Sequence, residues 1–345
     1  MATVQSIISD IVTLTPMDQA DLKRWFIRSF TQNPGTIQRY VENERFSGGL
    51  VCPICGKTHI IRHGHRKDGT QRYKCMDCSK TFVSTTNTVV AYTKKDYDTW
   101  EKYIDCMMYG LSLSKTAKKC GISERTAFNW RHKLLGALQN MASSVTLNGI
   151  VEADETFFAL SYKGNHKKSK TFTMPRNPHK RGNATHIRGL SKEKVCVPCA
   201  VNRNGLSIAK ATNTARVSTK NLHTIYDNRI KEGSIIVTDL MNSYVRFAKA
   251  NGLDLVQLKG GKAKKGIYNI QHINSYHNEL KLFMSCHKGV STKHIDNYLI
   301  WHNFINYAPE SEIDKRSILL RFALTQDMTI LVKDISKKSA LPFAA

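Results

Sequence analysis

Acidic residues are scarce in this sequence of 345 residues: 27 Asp and Glu stand against 52 Lys and Arg, which gives a net charge of +25 at pH 7. The sequence also has no run of about 18 apolar residues, the length that a membrane-spanning helix needs, and we identify no secretory signal peptide. Because so basic a protein attracts polyanions, we predict a nucleic acid as its partner, no membrane association and a cytoplasmic location.

A disulfide framework is missing as well. The nine cysteines are odd in number, and four of them form two CxxC pairs, a pattern typical of metal binding in a reducing compartment. No internal repeat is present. The length exceeds that of one average domain, and a hydrophobic content of 41% is enough to form real cores.

The two CxxC pairs lie within residues 51–83. Cys52 and Cys55 form the first pair, Cys75 and Cys78 the second, and 19 residues separate the pairs. This spacing is typical of a structural Zn²⁺ held tetrahedrally by four thiolates, with no open position for chemistry. We predict a zinc ribbon at 49–90, preceded by a helical segment at 1–48 with helices at 17–30 and 35–46.

Residues 93–142 have helical patterns, with helices predicted at 96–109, 113–120 and 124–138. A short turn that contains Gly121 precedes Ser123, a good residue to cap the third helix. Two helices joined in this way match a helix-turn-helix. A plain three-helix bundle is the alternative.

The third of these helices has two distinct faces. Spacing of three and four residues places Ala127, Trp130 and Leu134 on an inward face. Another face carries the polar side chains of Arg125, Asn129 and His132. We predict that these three enter the major groove of DNA.

From about residue 149 the pattern becomes that of an α/β domain. Strands are predicted at 149–160, 194–202, 206–211, 234–238 and 254–259, and helices at 218–231 and 242–251. Three consecutive strands followed by alternation is the order of a ribonuclease-H-like sheet. The predicted fold is therefore an α/β ribonuclease-H-like catalytic domain at 148–308, preceded by a zinc ribbon and a helix-turn-helix domain, with a segment of unknown role at 309–345.

Two acidic residues stand at or near the ends of apolar, β-branched runs. Asp154 lies in the run that begins at Ile150, and Asp239 follows the run that begins at Ile235. Strands that brought the two carboxylates together would repel a polyanion unless a divalent cation lay between them. We interpret both as metal ligands for chemistry on phosphodiesters; the alternative is a strand-end cap or a surface ion pair.

A helix at 272–283 carries further candidates. Asn274, His277 and Lys281 fall on one stripe, whereas Glu279 lies about 140° from Asn274 around the helix. The Asn274 amide oxygen is able to ligate a hard cation, and Lys281 would meet a phosphate. His277 and Glu279 stay open as alternatives for the third ligand.

Two basic segments adjoin these elements. The first, at 163–188, includes Lys167, Lys168 and Arg181, and the second, at 259–266, includes Lys262, Lys264 and Lys265. We predict that both contact DNA phosphates, with a solvated loop as the alternative for the first.

Two other patterns are interpreted as core. Cys196 and Cys199 form a CxxC on a predicted strand without a second pair, which favours buried thiols over a second zinc site. Ile295, Leu299 and His302 share a helical face, which favours core packing.

Four segments of the sequence resemble bacterial insertion-sequence transposases of the DDE type that carry an N-terminal zinc ribbon, the ISXO2-like transposase domain family. The segments are Ala-Asp-Glu-Thr-Phe at 153–157, Thr238-Asp239 followed by Tyr244, the helix at 273–281, and residues 289–301. With the ribbon, the resemblance covers residues from about 50 to 305. It implies a site of Asp154, Asp239, Asn274 and Lys281, in which the first three bind metal.

The resemblance also implies a function. It is that of a DNA transposase that binds the terminal inverted repeats of its insertion sequence and catalyses strand cleavage and strand transfer with two Mg²⁺ or Mn²⁺ ions. The implied partners are double-stranded DNA, as element ends and target, and further copies of the chain in a homodimer or higher oligomer, at a bacterial nucleoid. The alternatives are a catalytically impaired, transposase-derived, sequence-specific DNA-binding regulator, to which Asn274 points, and a structure-selective nuclease.

Overall fold

The computed structural model describes residues 4–19, 21–22, 42, 44–165, 172–175, 191–259, 264–306 and 315–343. They form two compact units, the first drawn from 1–137 and 314–332 and the second from 138–313 and 333–345. Within these described ranges, every helix is too short or too polar to cross a membrane.

The helices are numbered in chain order over the described residues. They are α1 (Val4–Thr13), α2 (Tyr97–Met108), α3 (Leu113–Cys120), α4 (Glu124–Ser143), α5 (Thr219–Tyr226), α6 (Asn242–Ala250), α7 (Gln271–Cys286), α8 (Ile295–Asn306), α9 (Lys315–Thr325) and α10 (Val332–Lys337), and a 3-10 turn at Thr292–His294 precedes α8.

The strands are numbered in the same way. They are β1 (Ile60–His65), β2 (Gln71–Cys75), β3 (Thr81–Phe82), β4 (Ile150–Ala159), β5 (Lys194–Asn202), β6 (Ser207–Ala209), β7 (Asn213–Thr214), β8 (Ile235–Thr238) and β9 (Asp254–Gln257).

In the first unit, β1, β2 and β3 form an antiparallel sheet in that order. Its small core contains Tyr73 stacked on Phe82 at 5.5 Å between ring centroids, beside the buried Cys52 and Cys75. This is the predicted ribbon. The helices predicted at 17–30 and 35–46 lie largely outside the described residues; within those stretches, residues 17–19, 21–22, 42, 44 and 45 are helical.

The three predicted helices of the first unit are present as α2, α3 and α4. Trp130 of α4 stacks on Trp100 of α2 with 3.6 Å between ring centroids. Ala127 and Leu134 are fully buried with it, so the predicted inward face is confirmed. Gly121 ends α3 in the left-handed region at φ 59°, and the Ser123 hydroxyl accepts the Thr126 N–H at 3.1 Å as the predicted cap of α4.

The other predicted face of α4 is only partly open to solvent. Arg125 is exposed and Asn129 is half-buried, but His132 is buried, and its ring lies 4.4 Å from that of Phe128 between centroids. One helical turn after His132, Ile330 occupies the space that a side chain at Gly136 would need. The prediction that His132 enters a DNA groove is therefore wrong, because the folded unit buries this side chain.

The second unit contains a mixed sheet in the order β6-β5-β4-β8-β9, with β7 also paired to β5. Strand β5 is antiparallel to β4 and β6, whereas β8 is parallel to both β4 and β9. Three antiparallel strands extended by two parallel ones is the predicted ribonuclease-H-like order. The short strand β7 was not predicted.

Helices cover both faces of this sheet. One core combines Val151 and Ala153 with α5 and α6, and the other combines Val197 and Val237 with α7 and α8. Cys196 belongs to the first core and Cys199 to the second, because residues three apart on a strand point to opposite faces. Both are buried free thiols, as predicted.

The face of α8 predicted to be core is buried as well. Ile295 is 3% exposed, and Leu299 and His302 are fully buried. The C-terminal segment, for which no role was predicted, divides between the units: of its described residues, 315–332 belong to the first unit and 333–343 to the second. In the first unit Arg316 of α9 lies 3.2 Å from the fully buried carboxylate of Asp105.

Candidate active site

The parallel pairing of β4 with β8 positions the two predicted aspartates. Ile150 pairs with Ile235, and Glu152 pairs with Val237. Extended by two residues, this register brings Asp154 opposite Asp239, which directly follows the end of β8. Since neighbouring strands are about 4.8 Å apart, the two carboxylates project from adjacent points at the same edge of the sheet.

The pKa of Asp154 is raised in this environment. Burial is the largest effect, and together with the neighbouring charge of Asp239 it raises the pKa of Asp154 from 3.8 to about 6. The Glu155 N–H, which donates to the Asp154 carboxylate at 2.8 Å, and the charge of Lys281 oppose that rise in pKa. A divalent cation at this position would favour the ionised form of both aspartates.

Helix α7 passes beside Asp154. The Nδ1 atom of His277 lies 3.9 Å from Oδ2 of Asp154, and the imidazole is 8% exposed. Burial, aided by the charge of Lys281, lowers the pKa of His277 to about 4. The ring is therefore neutral at pH 7, and its contact with Asp154 is not an ion pair.

The other candidates on α7 occupy different environments. Asn274 precedes His277 by three residues, on the same face of the helix, and is half-buried. Glu279 is exposed, and its carboxylate accepts a hydrogen bond of 3.2 Å from Ser275. Lys281 is exposed and near enough to influence Asp154. Of the three alternatives for the third ligand, Glu279 points away from the aspartates.

Lys281 lines a cavity of about 280 Å³. Residues from the end of β4, from α7 and from the segment before α8 form its walls: Phe158, Ala159, Met284, Ser285, Val290, Thr292 and Ile295. The segment around Thr292 is joined to the residues after β4, because Ser161 and Thr292 exchange two hydrogen bonds of 2.9 Å. The cavity provides open space beside the lysine ammonium group, at the same edge of the sheet as Asp154.

Glu155 is a residue of this site that was not identified as a candidate. It follows Asp154 and therefore points to the opposite face of the sheet, where the fully buried Tyr244 of α6 donates a hydrogen bond of 2.7 Å to it. Burial is the largest effect, and with the charges of Asp154 and Asp239 it raises the pKa of Glu155 to about 7, although the hydrogen bond from Tyr244 opposes that rise. The signal was present in the sequence, since Glu155 and Tyr244 both belong to the segments that carry the resemblance.

Glu152 was also not identified as a candidate. It is 1% exposed, and its carboxylate accepts hydrogen bonds from the backbone N–H groups of His272 at 2.8 Å and Ile273 at 3.1 Å. Arg203 lies 2.8 Å from the same carboxylate. A glutamate inside a strand of Val, Ile and Ala was the available signal, because charged side chains are rarely buried without partners.

The donor set is suited to a hard divalent cation. Two carboxylates within electrostatic range of each other, with an amide oxygen or a neutral imidazole on the adjacent helix, match the ligands of Mg²⁺ or Mn²⁺. Over the described part of the chain, the four ribbon cysteines are the one group of three or more His, Cys, Asp or Glu with all ligand atoms within 4.8 Å of one another. The aspartate pair therefore needs ligands from Asn274, water or substrate to complete a coordination shell.

The ribbon cysteines form a compact tetrad. The Sγ atoms of Cys52 and Cys78 are 3.8 Å apart, and those of Cys55 and Cys75 are 3.6 Å apart. Four sulfurs at about 2.3 Å from one Zn²⁺ in a tetrahedron lie about 3.8 Å from each other. The tetrad has the dimensions of a structural zinc site.

Exposed basic residues are found in both units, and the predicted DNA contacts include those of the second unit but not the groove lysines of the first. In the second unit Lys264 and Lys265 are exposed in the turn before α7; Lys167, Lys168, Arg181 and Lys262 lie outside the described residues. In the first unit a groove of about 710 Å³ runs between residues 92–95, α3 and the start of α4. Lys94, Lys95, Lys118 and Lys133 line this lysine groove together with Asn129.

Comparison with known proteins identifies two domains. Residues 146–304 match the ISXO2-like transposase domain family, and residues 35–81 match the transposase zinc-ribbon domain family. A relative, "Uncharacterized protein in transposable element ISH50" of Halobacterium salinarum, is 24% identical over 260 residues, which cover 74% of this chain and 84% of the relative. This relative is archaeal, so such proteins are not restricted to bacteria.

Among solved structures the likeness is slight. The "Mos1 Strand Transfer Complex" matches with a TM-score of 0.28 and 11% identity over 64% of this chain and 73% of that chain. The "mariner Mos1 paired end complex with Mg" matches with a TM-score of 0.28 and 11% identity over 92% and 93%. At these values the two structures do not define the fold or the function of this chain.

The two family matches include the residues of both candidate metal sites. The ribbon match contains the cysteine tetrad, and the domain match contains β4, β8 and α7 with Asp154, Asp239 and Asn274. The chain therefore carries a transposase zinc ribbon within residues 35–81 and an ISXO2-like transposase domain at residues 146–304.

Proposed function

We propose that this transposase binds the terminal inverted repeats of its insertion sequence and catalyses metal-dependent strand cleavage and strand transfer. The observation that supports this most directly is the parallel register of β4 and β8, in which Glu152 pairs with Val237, two residues before each of the proposed ligands Asp154 and Asp239. Two adjacent carboxylates in a chain of net charge +25 make a site that a polyanion enters only with bound cations.

The proposed ligands of Mg²⁺ or Mn²⁺ are Asp154, Asp239 and Asn274. When bound, two such ions activate an attacking water or 3′-hydroxyl and stabilise the leaving oxygen of the phosphodiester. Asn274 is preferred to Glu279, which is exposed and turned elsewhere. His277 is the alternative, since its Nδ1 lies 3.9 Å from Asp154.

The protein groups around the aspartates hold and orient the substrate. The Lys281 ammonium group opens onto a cavity of about 280 Å³ and would bind a phosphate there as a flexible point charge. The Tyr244 hydroxyl fixes Glu155 at 2.7 Å and so holds the backbone of β4 next to Asp154. No side chain has to act as a nucleophile in this chemistry.

DNA recognition is proposed for the zinc ribbon at 49–90 and for a helix-turn-helix at 93–142, ahead of the catalytic domain at 148–308. The exposed Arg125, the half-buried Asn129 and the lysine groove would contact DNA through the helix-turn-helix. Lys264 and Lys265 would contact it beside the catalytic domain, as would Lys167, Lys168, Arg181 and Lys262.

The zinc has a structural role. Because two element ends must be joined, we propose a homodimer or higher oligomer on DNA at the nucleoid.

Cleavage of a labelled element end, with and without Mg²⁺, tests the proposal. A transposase cuts the end at a defined position only when Mg²⁺ or Mn²⁺ is present, and then transfers it to a second DNA. Specific binding without cutting would instead identify a DNA-binding regulator, and cutting of any branched DNA would identify a structure-selective nuclease.

A further inference from the structure

Glu152 and Asp154 share one face of β4. Side chains two residues apart on a strand point the same way and lie about 6.6 Å apart along it. Helix α7 packs on this face, since Ile273, Tyr276 and Leu280 join the core there. The two acidic residues therefore meet the same helix at two points, Glu152 at its first turn and Asp154 at His277.

The contact of Glu152 with α7 is a helix cap supplied by a strand. The first N–H groups of a helix have no partner within the helix, and Glu152 accepts those of His272 at 2.8 Å and Ile273 at 3.1 Å. It also bonds Nδ1 of His272 at 2.8 Å. Ile270, at the N-cap position of α7, provides no side-chain cap, so the carboxylate of Glu152 supplies the negative charge that a helix N-terminus favours.

The spacing along the helix equals the spacing along the strand. From Ile273 to His277 the helix rises about 6 Å, and from Glu152 to Asp154 the strand advances about 6.6 Å. A slip of α7 by one residue would move it about 1.5 Å and turn it by about 100°. Such a slip would move His277 away from Asp154 and turn the helix face that carries Asn274.

We propose that Glu152 is a positioning residue of the metal site: by binding the first turn of α7 it holds Asn274 and His277 in register with Asp154. This inference rests on the proposed function, which requires α7 to complete the metal site. Arg203, 2.8 Å from Glu152, offsets the cost of burying the carboxylate beside the helix. Outer partners of this kind commonly change metal affinity by about 10–100-fold.

The test is Mn²⁺ binding by the full-length, zinc-loaded protein without DNA, measured from the electron paramagnetic resonance signal of free Mn²⁺. Glu152→Gln keeps the shape of the side chain but turns an NH₂ donor toward the N–H donors of α7. We expect it to weaken Mn²⁺ binding about tenfold, and Glu152→Asp to recover part of the loss. His272→Ala removes only the contact between Glu152 and a half-exposed side chain, and we expect it to weaken Mn²⁺ binding less than Glu152→Gln does. This milder variant provides the test if Glu152→Gln does not fold.

Asp296→Asn is the matched control. Asp296 is a half-buried aspartate in the first turn of a helix of the same unit, and its carboxylate accepts the Ala211 N–H at 2.9 Å. We expect this variant to lower the melting temperature and leave Mn²⁺ affinity unchanged. If Glu152→Gln behaves as Asp296→Asn does, Glu152 serves stability alone and the inference is wrong.

Asp154→Asn separates this inference from the proposed function. If Asp154→Asn loses Mn²⁺ binding while Glu152→Gln and His272→Ala retain it, only the role of Glu152 is rejected. If Asp154→Asn binds Mn²⁺ as the unmodified protein does, the proposed metal site is rejected, and the inference about Glu152 is rejected with it.

Discussion

Asp154 lies on β4 and Asp239 directly follows the parallel strand β8, and the register of these strands, extended by two residues, brings them opposite each other although 84 residues separate them in the sequence. We predict that Asp154→Asn or Asp239→Asn lowers the rate of end cleavage by more than about 100-fold, the upper end of what an outer-shell partner contributes. The affinity for the same DNA should change little, because an aspartate carboxylate and a DNA phosphate are both negative and interact only through a bound metal ion.

The control for this prediction is Asp254→Asn, an exposed aspartate on β9 of the same sheet. It should cut DNA as the unmodified protein does. Undiminished cutting by Asp154→Asn would remove that residue from the metal site.

The third ligand is tested by three alanine variants on α7. We predict that Asn274→Ala weakens Mn²⁺ binding most, that His277→Ala weakens it less, and that Glu279→Ala leaves it unchanged because Glu279 is exposed and bonded to Ser275. The measurement is a Mn²⁺ titration of each purified variant. A larger loss in His277→Ala than in Asn274→Ala would make the imidazole the ligand.

The raised pKa of Asp154 predicts how stability varies with pH in the absence of Mg²⁺ and Mn²⁺. Its pKa is about 6 in the folded state, against an ordinary value near 3.9 in the unfolded chain. The folded state therefore holds the proton more tightly, and this contribution to stability is full below pH 4 and is lost as the pH rises through 6. The loss is up to about 3 kcal/mol.

Urea unfolding at pH 4, 5, 6 and 7 measures this effect. Asp154→Asn should reduce the decline in the free energy of unfolding between pH 4 and 6, and saturating Mg²⁺ should reduce it in the unmodified protein. The same decline in both proteins without metal would show that Asp154 titrates normally.

The zinc tetrad is tested by one substitution and a matched cysteine control. Cys75 is fully buried with its Sγ 3.6 Å from that of Cys55, so Cys75→Ser should remove the bound zinc and unfold the ribbon. Cys286→Ser replaces an exposed free cysteine at the end of α7 and should retain full zinc. Elemental analysis of both proteins gives the result; zinc retained by Cys75→Ser would contradict the tetrad.

The lysine groove predicts a difference between two residues of one helix. Lys118 and Lys115 are both exposed on α3, but only Lys118 lines the groove. If the groove holds DNA phosphates, Lys118→Ala should reduce the slope of log affinity against log salt by about 0.9, the value for one lost phosphate contact. Lys115→Ala should leave the slope unchanged. If the two variants had the same slope of log affinity against log salt, the lysine groove would not be the site that binds the DNA phosphates.

Local patterns determined most of the individual elements. The CxxC spacing predicted the cysteine tetrad, because ligands close together in sequence need no distant partner to be recognised. Alternation and helical spacing predicted β5 and α3 at their observed bounds, and the order of strands and helices predicted the sheet. These features depend on short-range periodicity, which the chain carries regardless of what packs on it.

Contacts between segments distant in sequence determined which helix faces are buried and which face meets the site. Helical spacing placed His132 on a polar face, but the folded unit buries this side chain, and Ile330 from a distant segment lies against the same helix at Gly136. Spacing on α7 likewise left three candidates for the third ligand. The face of α7 that meets Asp154 depends on its anchor at Glu152, 120 residues away, and helical periodicity defines the faces of a helix without defining which face a sheet receives.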